Sequence, residues 1–246
     1  MSGHSKWANI KHRKGKQDAV RGKMFTKIAR QLTVAAKDGG IDPEYNAGLK
    51  SAIEMAKAAN MPNDNIKRAI QKGAGGADGV NYEEIRYEGY GPNGVAVIVD
   101  CLTDNKKRTV ADIKYYFDKN GGNMGTTGSV AFMFDRKGIL LIDRDAFSID
   151  EDEMMMQALE AGAEDFEATD EFFEIITDPN DFSAVRDALL AAKISFIKAE
   201  LTYIPQMQTA IPEESYKNMN RMLDAMEEND DIQNVYHNWD MPEEEE

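Results

Sequence analysis

The chain has 246 residues, with 29 Lys plus Arg against 44 Asp plus Glu, a formal charge of -15 and a pI near 4.7. Hydrophobic residues make up 42% and charged residues 30%, which supplies enough apolar surface for packed cores and excludes a wholly disordered chain. The single cysteine, Cys101, excludes an intramolecular disulfide and a cysteine-rich structural zinc site.

The charge is unevenly spread along the chain. Residues 1–78 hold 15 basic and 7 acidic side chains, a local balance of +8, whereas residues 79–134 stand at -1, 135–204 at -12 and 205–246 at -10. A basic module on an acidic remainder points to a polyanion met at one end, although attraction between the modules themselves would use the same asymmetry. Gly3 to Arg21 is too polar to bury itself and is expected to form an arm bearing Lys6, Lys11, Arg13, Lys14 and Lys16. No apolar stretch follows these cations, so the segment does not read as a secretory signal. Trp7 either packs on the helical module or stacks on a base.

Residues 18–38 predict a helix with Val20, Met24, Ile28, Leu32 and Ala35 on one face. Lys23, Lys27, Arg30 and Lys37 fall within an arc of about 80° on the opposite side, a basic ridge. Asp42 and Pro43 supply an N-cap and first-turn proline for a second helix that ends near Ala59 and buries Leu49, Ile53 and Ala56. Asn63 or Asp64 caps a third carrying Ile66, Ala69 and Ile70, with Lys67, Arg68 and Lys72 extending the positive surface. Three helices with short connections make a bundle. The glycines of 73–79 mark its boundary.

Glu83 to Tyr90 and Gly94 to Leu102 predict a hairpin across Gly91-Pro92-Asn93. Thr103 or Asp104 then caps a helix through Asn120, and Gly128 to Phe134 is a further strand. Residues 138–204 give βαβαβ, with room for one more short strand at Glu164 to Ala168, and Met154 to Met156 fill its core. Glu213 to Asn229 is a helix and Ile232 to His237 a strand, completing the earlier sandwich around an insertion. The expected domains are 1–78 (basic, helical, with the arm), 79–136 plus 205–240 (α+β) and 137–204 (inserted, acidic, α+β), with 241–246 an acidic tail.

Familiar catalytic and cofactor patterns fail on inspection. Gly89-Tyr90-Gly91-Pro92-Asn93-Gly94 satisfies G-x-G-x-x-G, but a strand follows where a dinucleotide site needs a helix. No P-loop and no kinase set occur. The three histidines, at 4, 12 and 237, lack metal-ligand spacing, and Ser2-Gly3-His4 would suit Cu(II) or Ni(II) only if Met1 were removed. No cofactor, metal, small-molecule substrate or enzymatic activity is expected, and no membrane partner, because the apolar runs are far shorter than the roughly 18–20 residues of a span. Lys106, Lys107 and Arg108 oppose the macrodipole in the first turn of a helix, which either a bound phosphate or Asp104 and Asp112 would relieve. The glycine-rich loop from Asn120 to Gly128 either approaches a partner or simply connects strands.

With these residues in view, the chain resembles the YebC/PmpR family, whose mitochondrial members include the translational activator of cytochrome c oxidase subunit one. The likeness runs over nearly the whole chain. It is carried by Gly3-His4-Ser5-Lys6-Trp7 through Lys11, Asp18 to Lys27 with Arg21 and Phe25, Tyr87 to Pro92, Thr103-Asp104-Asn105 with Arg108-Thr109, Asn120 to Asn123 and Gly128 to Ala131. The resemblance implies a cytoplasmic protein with an N-terminal helical domain and two ferredoxin-like α+β domains, the third inserted in the second. It implies either a DNA-binding transcriptional regulator or a ribosome-associated factor that binds ribosomal or transfer RNA and relieves stalling, for example at proline runs. The expected nucleic-acid contacts are Lys6, Trp7, Lys11, Arg13, Lys14, Lys16, Arg21, Lys23, Lys27, Arg30, Lys106, Lys107 and Arg108.

Overall fold

The computed structural model describes residues 17–75, 81–147 and 149–242, with side chains from residue 22 onward. Three helices open it: α1 (Gln17–Gly39), α2 (Ala47–Ala58) and α3 (Asn63–Gly73). Ile28, Leu32 and Ala36 of α1 form one core with Leu49, Ala52 and Ala56 of α2 and with Met61, Ile66 and Ala69. The buried stripe of α1 is turned from the expected one. Met24 stays 44% exposed, Phe25 packs against the core, and Ala36 is buried in place of Ala35. The cause is α3, which packs along α1 and draws its buried arc toward Phe25 and Ala29.

Asn46, not Asp42, caps α2. Its side-chain oxygen accepts from the Leu49 amide at 3.0 Å while its own amide donates to the carbonyls of Ala35 and Gly40, each at 2.7 Å. One buried side chain thus satisfies orphan groups at the end of α1 and the start of α2. Asp42 closes the preceding turn instead, accepting from the Glu44 amide at 3.0 Å. Helix α3 starts after Pro62 with no side-chain cap. It runs close to α1: Thr33 donates to the Ala69 carbonyl at 3.1 Å, and a Cβ on Gly73 would lie 2.2 Å from the Thr33 carbonyl oxygen.

The first sheet joins β1 (Glu83–Tyr90), β2 (Ala96–Thr103), β3 (Asn123–Met124) and β8 (Ile232–His237) in the order β3-β1-β2-β8. Two helices belong to it, α4 (Lys106–Lys119) and α7 (Glu213–Glu228), burying Ile113, Phe117, Met219, Met222 and Met226. The hairpin from β1 to β2 is as expected, with Glu83 opposite Thr103 and Tyr90 opposite Ala96. The expected strand at Gly128 to Phe134 is absent. On its other edge β1 pairs with Asn123 and Met124, Ala131–Met133 is a single 3-10 turn, and Phe134 opens a strand of the other sheet. The reason is Glu88, whose carboxylate takes the amides of Gly128, Val130 and Ala131 at 2.8–2.9 Å, donors that a β-ladder would need.

The inserted segment runs β4 (Phe134–Asp143), α5 (Glu151–Glu160), β5 (Asp165–Ala168), β6 (Phe172–Thr177), α6 (Phe182–Ala191) and β7 (Lys198–Pro205). Its strands are antiparallel in the order β5-β6-β4-β7, the ferredoxin-like arrangement of a βαββαβ unit. Leu140 and Ile142 of β4 and Phe173 and Ile175 of β6 alternate onto the face covered by Met154, Ala158, Phe182, Val185 and Leu189. Of the three consecutive methionines only Met154 is core; Met156 is 58% exposed, as the helical period requires of a residue two places on. The chain is therefore α+β, an N-terminal three-helix domain followed by two α/β sandwiches, the second inserted in the first. By compactness it forms two units, one of residues 132–208 and one uniting the described residues up to 131 with 209–239.

A close approach in the insertion gives a stability test. A Cβ on Gly138 would meet the Thr177 hydroxyl at 2.3 Å and the Phe182 ring at 2.4 Å. Gly138→Ala is expected to destabilise this domain by about 1–3 kcal/mol through overpacking, seen as a lower urea midpoint. An unchanged midpoint would show that α6 yields without cost.

Candidate nucleic-acid interface

The cations of α1 that sequence places on one ridge lie together, and they face acidic and polar groups of the same unit. Lys23 lies 3.7 Å from the Glu228 carboxylate, and Lys27 donates to the Glu227 carbonyl at 3.0 Å. Lys37 donates to the Asn81 side chain, and Gln31 donates to Gln233 at 3.1 Å. Arg30 is the most committed. Its side chain is 14% exposed, and the guanidinium donates to Asp231 at 2.6 Å and to the Leu102 carbonyl at 2.9 Å.

Asp231 is the centre of this arrangement and was not singled out by sequence reasoning. It is 2% exposed. Besides Arg30 it accepts from Arg108 through Nε at 3.0 Å and Nη2 at 2.7 Å, from the Thr109 hydroxyl at 2.8 Å and from the Thr103 hydroxyl at 3.2 Å. Burial alone would raise its pKa, but the hydrogen bonds from Arg30, Arg108 and Thr109 outweigh it and hold the carboxyl below the usual range. One carboxylate thus joins α1, the end of β2, the first turn of α4 and the turn before β8. The only hint in sequence was an Asp just ahead of a strand.

The cations at the start of α4 are accounted for in the same way. Arg108 bonds Asp231 and also Asp104, at 2.9 Å, and these bonds raise its pKa further. Lys106 pairs with Glu83. Lys107 is exposed. The helix is capped by Asn105, whose side chain accepts from the Arg108 amide at 3.1 Å, not by Thr103 or Asp104. Internal neutralisation, the second of the two readings of this cluster, is what the geometry contains. Its acids are Asp231, Asp104 and Glu83, while Asp112 accepts from Asn229.

The glycine-rich loop is pinned by a second buried carboxylate. Glu88, 2% exposed, receives the three loop amides described above, and its own carbonyl accepts from Gly125 at 2.8 Å. Burial would raise its pKa, but those backbone donors and Arg86 hold it lowered. The glycines serve this close packing. A Cβ on Gly122 would stand 2.4 Å from the Tyr90 carbonyl oxygen. Cys101 is buried, and burial with Asp100 and Asp231 nearby pushes its thiol up to about 12, far from a reactive thiolate.

The arm residues Lys6, Trp7, Lys11, Arg13, Lys14 and Lys16 lie outside the described residues, as does the side chain of Arg21. Among the described residues no group of three or more His, Cys, Asp or Glu could hold a metal ion, and no helix is long and apolar enough to cross a membrane.

Fold and site define a modular α+β protein in which a basic helical domain is tied by ion pairs to the first of two α/β sandwiches. The description "TACO1/YebC protein N-terminal domain" matches residues 5–76 and "TACO1/YebC second and third domain" matches residues 82–239, so the chain belongs to the TACO1/YebC family. A relative from Finegoldia magna is 58% identical over 241 residues, covering 98% of this chain and 99% of the relative. One from Clostridioides difficile is 60% identical over 234 residues, covering 95% and 98%. Both carry the name "probable transcriptional regulatory protein". Among solved structures, a conserved hypothetical protein from Aquifex aeolicus superimposes with a TM-score of 0.86 at 44% identity, covering 98% of each chain.

The Asp231 node makes a prediction about acid and about truncation. Asp231→Ala is expected to cost about 3–5 kcal/mol, because Arg30 would keep a buried charge with only the Leu102 carbonyl and no carboxylate to meet it, measured as a fall in urea midpoint. Since the folded carboxyl is depressed, its stabilisation is fully present above the unfolded-state value of about 3.9 and is lost as pH falls through the lower folded value. Asp231→Asn removes that titrating group, and its unfolding free energy should fall less steeply than the wild type's below about pH 4. Parallel acid profiles would remove Asp231 from the account.

Proposed function

We propose that this protein is a cytoplasmic, non-enzymatic regulator of transcription that grips the sugar-phosphate backbone of DNA with its N-terminal domain. The observation that carries the reading is the charge partition: +8 on residues 1–78 in a chain of net charge -15. The names of the relatives support regulation. The basic arm, Lys6, Trp7, Lys11, Arg13, Lys14, Lys16 and Arg21, supplies the principal contacts. Exposed Lys107 adds charge further along the same unit, whereas Lys23, Lys27 and Lys106 would have to exchange Glu228, the Glu227 carbonyl and Glu83 for phosphate to join it. Arg30 and Arg108 contribute indirectly, by tying the helical domain to the sheet through Asp231. The division into domains at 78, 136 and 204 assigns binding to the first and leaves the acidic insertion to repel the same polymer.

If about five duplex phosphates are neutralised, log K should fall with log salt at a slope near -4 to -5. Fluorescence anisotropy on a labelled duplex between low and physiological salt measures it. Changing Lys11, Arg13, Lys14 and Lys16 together to Glu should abolish binding with an unchanged melting temperature. A flat salt dependence, or full binding by that variant, would refute the reading.

A further inference from the structure

Beside the Asp231 node the helical domain carries a groove that the ion pairs do not fill. It lies between α1 and α3 and has a volume of about 480 Å³, within the range of about 300–1,000 Å³ typical of small-ligand sites. Small residues, Ala29 on α1 and Ala69 on α3, are part of its lining. Two aromatic side chains, Phe25 and Tyr82, stand in its lining and are only partly buried.

The cations of this groove differ from those of the ridge. Arg68 and Lys72 are one helical turn apart on α3, and both are exposed. Arg68 donates only to neutral acceptors, the Asn65 side chain and the Asp64 carbonyl, and Lys72 lies 5.9 Å from the Tyr82 ring centroid. Among the described residues neither meets a carboxylate, whereas Lys23, Arg30, Lys106 and Arg108 all do. Arg30 approaches the Tyr82 ring too, at 5.3 Å, but its charge is spent on Asp231, so it positions the ring and leaves the anion to α3.

A groove lined by two partly buried aromatic side chains, with two exposed cations that no described carboxylate pairs, matches a nucleobase attached to its phosphates. A bare anion would have no use for the rings, and a stacked duplex has no base to offer them. We propose that this groove takes an unstacked base of a single-stranded nucleic-acid segment against Phe25 and Tyr82, with the flanking phosphates on Arg68 and Lys72. The inference rests on the nucleic-acid reading above and gives it a second site, separate from the arm.

The test uses the full chain and labelled 12-residue strands of thymidine or uridine nucleotides, with a duplex of equal length as control. Tyr82→Leu should weaken single-strand binding by about fivefold to 150-fold, the contribution of one stacked base, and leave the duplex nearly unaffected. Arg68→Gln with Lys72→Gln should make the single-strand salt slope shallower by about 1.4, as expected for two lost phosphate contacts. In the unmodified protein, ultraviolet crosslinking to a strand carrying 5-iodouracil should place adducts on Phe25 or Tyr82, a result independent of how the variants fold. The deoxy and ribo strands separate DNA from RNA as the source of the base. If the wild type binds but the variants match it and the adducts lie elsewhere, the groove is overturned and the broader reading stands; equal losses on strand and duplex also overturn it. If the wild type binds neither strand nor duplex, the nucleic-acid reading fails and the groove with it.

Discussion

A carboxylate 2% exposed is tolerated only where its charge is met inside the protein, and at Asp231 that requirement organises one whole unit. Arg30 reaches it from α1, Arg108 from α4, and the hydroxyls of Thr103 and Thr109 complete its shell. Removing any one partner leaves the others around an undercompensated charge. The helical domain is therefore joined to the sheet by a few directional bonds, with Gln31 to Gln233 and Lys27 to the Glu227 carbonyl beside them. Bonds of this kind fix orientation more than they add net stability, because each ion was first taken out of water.

That junction changes what the basic helix can do. A ridge of Lys23, Lys27 and Arg30 read from sequence is a surface waiting for phosphate, yet two carboxylates and a backbone carbonyl already meet it at the end of α7 and in the turn before β8. The acidic segment from Glu227 to Asp231 occupies the place a polyanion would take. Charge left for an external partner is then sorted by position rather than by count. Arg68 and Lys72 keep theirs, while Arg30 and Arg108 do not.

Much of the fold was legible because its signals are local. Helix periods placed α1, α4 and α7 to within about two residues, and the strand at Ile232–His237 falls where alternation put it. The errors share a cause. Asp42-Pro43 is a sound helix start on its own, but Asn46 wins because it also reaches the end of α1, eleven residues back. Gly128 to Phe134 has strand composition, but a glutamate forty residues earlier takes its amides. The α1 stripe turned because α3 packs beside it. The site was less legible still. Charge showed which end is basic, whereas the pairing that consumes much of it depends on Asp231, about 200 residues away in sequence.

Glu88 and Asp231 solve the same problem with different donors, and the contrast explains their surroundings. Asp231 is met by side chains, which reach from separate elements, so it joins domains. Glu88 is met by three backbone amides of a single loop, so it shapes that loop against its own sheet. The loop must then lie close to β1, and glycine at 89 and 122 permits this, since a Cβ at either would stand within 2.6 Å of a carbonyl oxygen. A glycine-rich stretch that looks made to approach a partner is in this protein packed onto a buried acid of the neighbouring strand. The same physics separates a real anion site from an apparent one: what matters is whether a cation still lacks a carboxylate once the chain has folded, and among the described residues Arg68 and Lys72 of α3 meet that condition.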